Sequence, residues 1–171
     1  VQVLLAEKPF EGCGGLALTD EIRVTIAAHA GLLLLGRETD YYPGLHAILV
    51  YPTTYAVPVG ASEGGIVSER AEARLGESWQ RGVVVLAWDA TRAGALDRRD
   101  GQNVALHEFA HQLDTEDGAA DGAPVLPRLS DYAAWARALR PEYERLRETP
   151  KASVLDRYGA QNPAEFFAVA T

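Results

Sequence analysis

The sequence predicts an α+β fold in a single domain of 171 residues. A chain of this length can bury one sizeable core, whereas two domains would be cramped. The apolar fraction of 47% and the charged fraction of 23% are typical of globular proteins. Extended apolar segments precede residue 104, and segments with the apolar spacing of helices follow it. Strands followed by helices predict an α+β architecture.

The first predicted elements are a helix and a strand. Thr19 can cap a helix that continues to about Leu35 and ends at Gly36, because Thr accepts from free helix N–H groups and Gly suits a helix end. His46–Val57 is rich in β-branched and aromatic residues, which predicts an extended segment. Pro52 marks an edge or a bend within it.

A loop, a second strand and three helices follow. Gly60–Gly76 is polar and is predicted as a surface loop or hairpin, and the apolar run Gly82–Trp88 is predicted as a buried strand. Asn103 can cap a helix over residues 104–114. Large apolar side chains recur at helical spacing in Ser130–Glu148. Asn162 precedes a proline at a predicted first helical position.

Charge, hydropathy and cysteine content exclude several classes of protein. A net charge of −8 without basic clusters argues against a nucleic-acid partner. The apolar stretch Ala27–Leu35 is far shorter than the roughly 20 residues that a membrane span needs. Cys13 is the only cysteine, which excludes an intrachain disulfide and fits the cytoplasm, our expected location. The chain contains no methionine, so we expect it to be truncated at one or both ends.

Residues 104–114, VALHEFAHQLD, contain the pattern H-E-x-x-H. Helix positions four apart differ by about 40° around the axis, so His107 and His111 project from one face and can reach one zinc ion. Glu108 lies between them in angle, where its carboxylate can take a proton from a zinc-activated water. The alternative is a metal-free helix with incidental histidines. The apolar surroundings favour the metal site, because buried imidazoles and carboxylates need partners.

Two histidines do not complete a zinc site. The segment after His111 does not match H-x-x-G-x-x-H, which excludes a third histidine there. His29 and His46 lie far upstream and are predicted to be structural. A downstream carboxylate is the more common third ligand. Glu165, in the apolar segment PAEFFAV, is an equally good candidate for that ligand and for the capping-box partner of Asn162.

The other downstream acids are predicted mostly to be solvated in turns or on a helix surface. They are Asp114, Glu116, Asp117, Asp121, Asp131, Glu142, Glu144, Glu148 and Asp156. Asp114 has two equally good interpretations. It can accept a hydrogen bond from a ligand histidine, or it can form a surface salt bridge.

Five segments spread over nearly the whole chain carry a family resemblance. They are FEGCGGLALTD, YYPGLHAILVYP, LGESWQRGVVVLAWD, LHEFAHQLD and YGAQNPAEFFAV. Together they resemble the Mlc titration factor A family of zinc-dependent peptidases. The resemblance implies a zincin-like fold with a small mixed sheet packed on helices and with an active-site helix that carries H-E-x-x-H.

The resemblance also implies the parts of the site. His107, His111 and Glu165 would bind one Zn²⁺, Glu108 would be the catalytic base, and Tyr158 would assist catalysis. A tyrosine hydroxyl at that place can donate to a developing oxyanion.

The expected activity is hydrolysis of peptide bonds in a peptide or protein substrate, with an aminopeptidase-like preference. An edge of Gly82–Trp88, or of the strand around Ile48–Val57, would hold the extended substrate. The alternative is a regulator that binds and sequesters a transcriptional repressor of sugar uptake, Mlc, with zinc in a structural or regulatory role. A domain without metal is the third possibility.

Overall fold

The computed structural model describes residues 1–37, 40–53, 82–97, 99–149 and 153–171. These residues form helices α1 (Gln2–Glu7), α2 (Asp20–Leu33), α3 (Trp88–Leu96), α4 (Val104–Asp114), α5 (Leu129–Glu148) and α6 (Pro163–Ala170), strands β1 (Phe10–Gly12), β2 (Ala47–Tyr51) and β3 (Val83–Ala87), and a 3-10 helix (Arg157–Ala160). Strands precede α4 and helices follow it, which confirms the predicted mixture of α and β structure. The chain forms two compact units, Val1–Ala105 and Leu106–Thr171. The single domain expected over residues 1–171 stays a prediction.

The first unit contains a parallel sheet in the order β1-β2-β3. Burial alternates along β2 and β3, so that Ile48, Val50, Val84 and Leu86 enter the core. The strand pairs of the described residues are all parallel, and the antiparallel pair of the expected mixed sheet is not among them. Of the two strands predicted as alternative edges for a peptide, β2 pairs on both sides, so that alternative is wrong for its described residues, whereas β3 lies at the end of the described sheet.

The helices of the first unit contact the sheet and one another. Thr19 Oγ1 accepts a hydrogen bond from Ile22 N at 3.3 Å, which confirms the predicted cap of α2. β2 ends one residue before Pro52. The predicted loop Gly60–Gly76 and the end of the predicted strand, residues 54–57, lie outside the described residues. Within the described ranges, no helix has both the length and the hydropathy to cross a membrane.

The second unit consists of helices packed through aromatic side chains. Trp135 of α5 meets Phe167 edge-on, with ring centroids 5.6 Å apart, and Tyr143 meets Phe166 at 5.4 Å. The apolar face predicted for Ser130–Glu148 is therefore the face that packs on α6. Contacts of this kind anchor α6, which carries one of the candidate ligands.

Candidate metal centre

Two histidines of α4 lie side by side at one turn's spacing. Phe109, Ala110 and Leu113 are almost fully buried and hold the helix in the core. The His107 and His111 rings meet edge to face, with centroids 4.8 Å apart. Their Nε2 atoms are 3.2 Å apart. The His111 side chain is 2% exposed and that of His107 is 21% exposed, so the pair is open to solvent on the His107 side.

Glu165 extends from the first turn of α6 to both histidines. Asn162 Oδ1 accepts a hydrogen bond from Glu165 N at 2.9 Å, and Pro163 occupies the first turn, as the sequence predicts. The carboxylate does not complete a capping box in the described structure. Its Oε2 lies 3.2 Å from His107 Nε2 and 3.4 Å from His111 Nε2. The geometry therefore groups Glu165 with the histidines.

The three donor atoms have the spacing of ligands around one metal ion. Tetrahedral ligands about 2.0–2.1 Å from zinc are about 3.3 Å from one another, and the three distances here are 3.2, 3.2 and 3.4 Å. Glu165 Oε2 is buried and makes no hydrogen bond of normal geometry to any described residue. Among the described residues, His107, His111 and Glu165 are the one group of His, Cys, Asp and Glu side chains that could hold a metal ion. The donors therefore fit a divalent cation such as zinc.

The charge state of Glu165 suits a metal ligand. Burial raises the pKa of this carboxyl, but the close approach and the charge of His107 and His111 outweigh the burial and lower the pKa to about 2. The carboxylate is therefore ionised at neutral pH, as metal binding requires.

The two further predicted site residues lie on α4 and on the 3-10 helix that precedes α6. Glu108 follows His107 on α4 and is half-buried. The Tyr158 ring centroid is 6.0 Å from that of His107. Asp156 Oδ1 accepts from Tyr158 N at 2.8 Å and caps the 3-10 helix that carries the tyrosine. Tyr158 thus lies beside the more exposed histidine.

A family model described as glucose-regulated metallo-peptidase M90 matches residues 1–171. The chain belongs to this family. An uncharacterized protein of Synechocystis sp. is 46% identical over 100% of this chain and 64% of its own length. The proteins named Mlc titration factor A from Serratia proteamaculans and Klebsiella pneumoniae are each 33% identical, over 97% and 96% of this chain and 65% and 64% of their own lengths. The chain thus spans slightly less than two thirds of these relatives, and the resemblance read from its segments is confirmed.

The M90 chain buries Asp114, at the end of α4. Asp114 is 1% exposed, so the surface salt bridge that we considered for it is wrong. Its Oδ1 accepts hydrogen bonds from Gly122 N at 2.7 Å and Ala123 N at 2.9 Å. Burial raises the pKa of this carboxyl, although the two backbone N–H groups oppose the rise.

The two upstream histidines of the M90 chain, His29 and His46, take part in hydrogen bonds away from the candidate metal centre. His29 Nδ1 donates to the Thr25 carbonyl at 2.8 Å on α2, and the His46 backbone N–H donates to the Gly82 carbonyl at 2.7 Å. Neither belongs to the group of possible ligands.

Sequence reasoning missed the contribution of Gly122. Its φ is +81°, and a Cβ at this position would lie 2.4 Å from Pro163 O, at the start of α6. Trp135 Nε1 donates to Gly122 O at 3.0 Å. The dipeptide Asp121-Gly122 signals a turn, but a turn signal does not reveal which distant backbone the glycine approaches.

Proposed function

We propose that this M90 chain is a zinc-dependent peptidase with an aminopeptidase-like preference and a zincin-like fold. His107, His111 and Glu165 would hold one Zn²⁺, and Glu108 would be the general base. The observation that carries the proposal is the convergence of three buried or half-buried donor atoms at about the ligand spacing of zinc. Glu108 follows one of these ligands, His107, on α4. The family description supports the same reaction class.

In the proposed reaction, zinc, Glu108 and Tyr158 each have a separate role. A zinc ion held by His107, His111 and Glu165 would supply Lewis acidity, which would polarise the scissile carbonyl and acidify a water molecule. Glu108 would accept a proton from the attacking water and deliver it to the departing amine. The Tyr158 hydroxyl donates a hydrogen bond to the oxyanion that forms on the carbonyl. The substrate would approach from the side of His107, the more exposed of the two histidines.

The test of this proposal is Glu108→Gln in the purified, zinc-loaded protein. Glutamine keeps the size of the side chain but cannot act as a base. We expect hydrolysis of aminoacyl and peptide substrates to fall at least about 100-fold, while zinc stoichiometry stays at one per chain. The matched control is Glu148→Gln, which makes the same chemical change at an exposed position of α5 and should leave both measurements unaltered.

Two results would contradict the proposal. If hydrolysis survives Glu108→Gln, Glu108 is not the general base. If the wild-type protein binds no zinc after purification at neutral pH without chelators, the proposed metal site is wrong.

A second candidate function is binding of a repressor protein, and the observation that favours it is the name Mlc titration factor A of two relatives. Under this alternative the chain sequesters an Mlc-like transcriptional repressor, and zinc is structural or regulatory. Binding of purified Mlc to the wild type and to Glu108→Gln discriminates the roles. Equal binding by both proteins, without hydrolysis by either, would favour the regulator over the peptidase.

A further inference from the structure

We infer that Asp114 is a positioning residue that aligns the two ligand-bearing helices of the proposed zinc site through the turn at Gly122. The inference rests on that proposed site. Asp114 ends α4 and lies three residues after His111. Its Oδ1 accepts the backbone N–H groups of Gly122 and Ala123 at 2.7 and 2.9 Å, so the turn is attached directly to α4.

The same turn is packed against the start of α6. The space where Gly122 would carry a Cβ is occupied by the Pro163 carbonyl, 2.4 Å from the ideal Cβ position. Pro163 lies two residues before Glu165 in the first turn of α6. Gly122 therefore connects α4 to the first turn of α6, so a shift of the turn relative to α4 would also move the residue that carries the third ligand.

A third contact fixes the turn from α5. The Trp135 indole donates from Nε1 to Gly122 O at 3.0 Å, and its ring meets Phe167 of α6 with centroids 5.6 Å apart. The turn thus makes polar contacts to α4 and α5 and a close contact to α6. Three attachments of this kind restrict both rotation and translation of the turn.

Alignment of the helices matters because the donor atoms are closely spaced. Displacement of α6 by even a few tenths of an ångström would change the Glu165 Oε2 distances of 3.2 and 3.4 Å. Loss of residues that orient ligands typically costs about 10–100-fold in metal affinity. Asp114 would act in this way although its Oδ1 bonds to the turn and not to a ligand.

Replacement of Asp114 by asparagine distinguishes the effect of its hydrogen bonds from the effect of its charge. Both backbone bonds end on the single oxygen Oδ1, which an asparagine side chain also provides. The other oxygen, Oδ2, is buried and makes no hydrogen bond to a described residue. We therefore expect Asp114→Asn to keep the alignment and Asp114→Ala to lose it.

The experiment measures zinc affinity by competition with a chelator, together with the visible spectrum of the Co²⁺-substituted protein. Asp114→Ala should bind zinc about 10–100-fold more weakly than the wild type and show an altered Co²⁺ spectrum. Asp114→Asn should restore both to within about threefold. The matched control is Asp117→Ala. It removes the same charge from the same loop, together with a hydrogen bond that Asp117 Oδ1 accepts from Ala119 N, and should change neither measurement.

A second pair of variants tests the contact with α6 and does not depend on folding of Asp114→Ala. Gly122→Ala should weaken zinc binding by at least about tenfold, because its Cβ would displace Pro163. Gly118→Ala is the matched control, since Gly118 has a similar φ of +87° but, among the described residues other than its two chain neighbours, no atom lies within 4 Å of its Cβ position. It carries the backbone strain without the clash and should bind zinc like the wild type.

The outcomes separate this inference from the proposed function. Wild-type zinc affinity in both Asp114→Ala and Gly122→Ala would overturn the positioning role and leave the zinc site intact. Equal weakening by Asp114→Asn and Asp114→Ala would also overturn it, since the charge and not the hydrogen bonds would then matter. Failure of the wild type to bind zinc would overturn the proposed site and the inference with it.

Discussion

At the residue scale, Glu165 combines two tasks through two different groups. Its backbone N–H completes the cap of α6 by donating to Asn162, and its carboxylate joins the two histidines. Sequence reasoning left a ligand and a capping-box partner as equal alternatives because both require a glutamate at this spacing. The alternatives differ only in the direction of the side chain, which the position of α4 determines.

The lowered pKa of Glu165 predicts how the metal-free protein responds to acid. The folded pKa is about 2 and the ordinary value is 4.5, so the unfolded chain binds more protons between these values. The ionised carboxylate therefore contributes stability above about pH 4.5, and that contribution is lost as the pH falls towards 2. In chelator, Glu165→Gln should be less stable than the wild type by at most about 3 kcal/mol above pH 4.5.

Urea unfolding at a series of pH values measures this difference. The difference in the free energy of unfolding between the wild type and Glu165→Gln should become steadily smaller below pH 4.5. A difference that stays constant down to pH 2 would contradict the lowered pKa of Glu165. The exposed control Glu148→Gln should show no such pH dependence.

At the element scale, local signals predicted most helices and tertiary contacts decided the rest. Thr19 and Asn162 cap the predicted helices α2 and α6, because a cap is a contact between residues three apart. The short elements α1, β1, α3 and the 3-10 helix were missed. They contain three to nine residues each, too few for a periodic pattern to develop. The contact of Gly122 with Pro163 was missed because it joins residues far apart in sequence.

The two confirmed caps provide a prediction for α6. Asn162→Ala removes the acceptor for Glu165 N and should destabilise the protein by about 0.5–2 kcal/mol. It should also weaken zinc binding, by about tenfold, because the affected turn carries Glu165. Thermal unfolding and chelator competition measure the two effects.

Thr19→Ala is the matched control for that cap. It removes the equivalent bond to Ile22 N from α2, which carries no proposed ligand. We expect a similar loss of stability and an unaltered zinc affinity. If both variants weaken zinc affinity equally, general destabilisation, and not the first turn of α6, determines how tightly zinc binds.

At the scale of the whole molecule, the proposed metal links the stability of the chain to zinc concentration. The three proposed ligands lie in Leu106–Thr171, whereas the sheet lies in Val1–Ala105. A ligand that binds only the folded state stabilises it by RT ln(1 + [L]/Kd), about 2.7 kcal/mol at 100 times Kd. If residues 1–171 are one cooperative domain, as the sequence predicts, both units share this gain.

Hydrogen exchange with and without zinc tests this prediction. The most protected amides of β2 and β3 and those of α4 and α6 should all exchange about 100-fold more slowly at 100 times Kd, because each opens only when the whole domain unfolds. His111→Ala should abolish the effect in both units, and His29→Ala should preserve it. Slowing confined to Leu106–Thr171 would contradict the single domain while supporting the metal site, since the unit that carries the ligands would then unfold without the sheet.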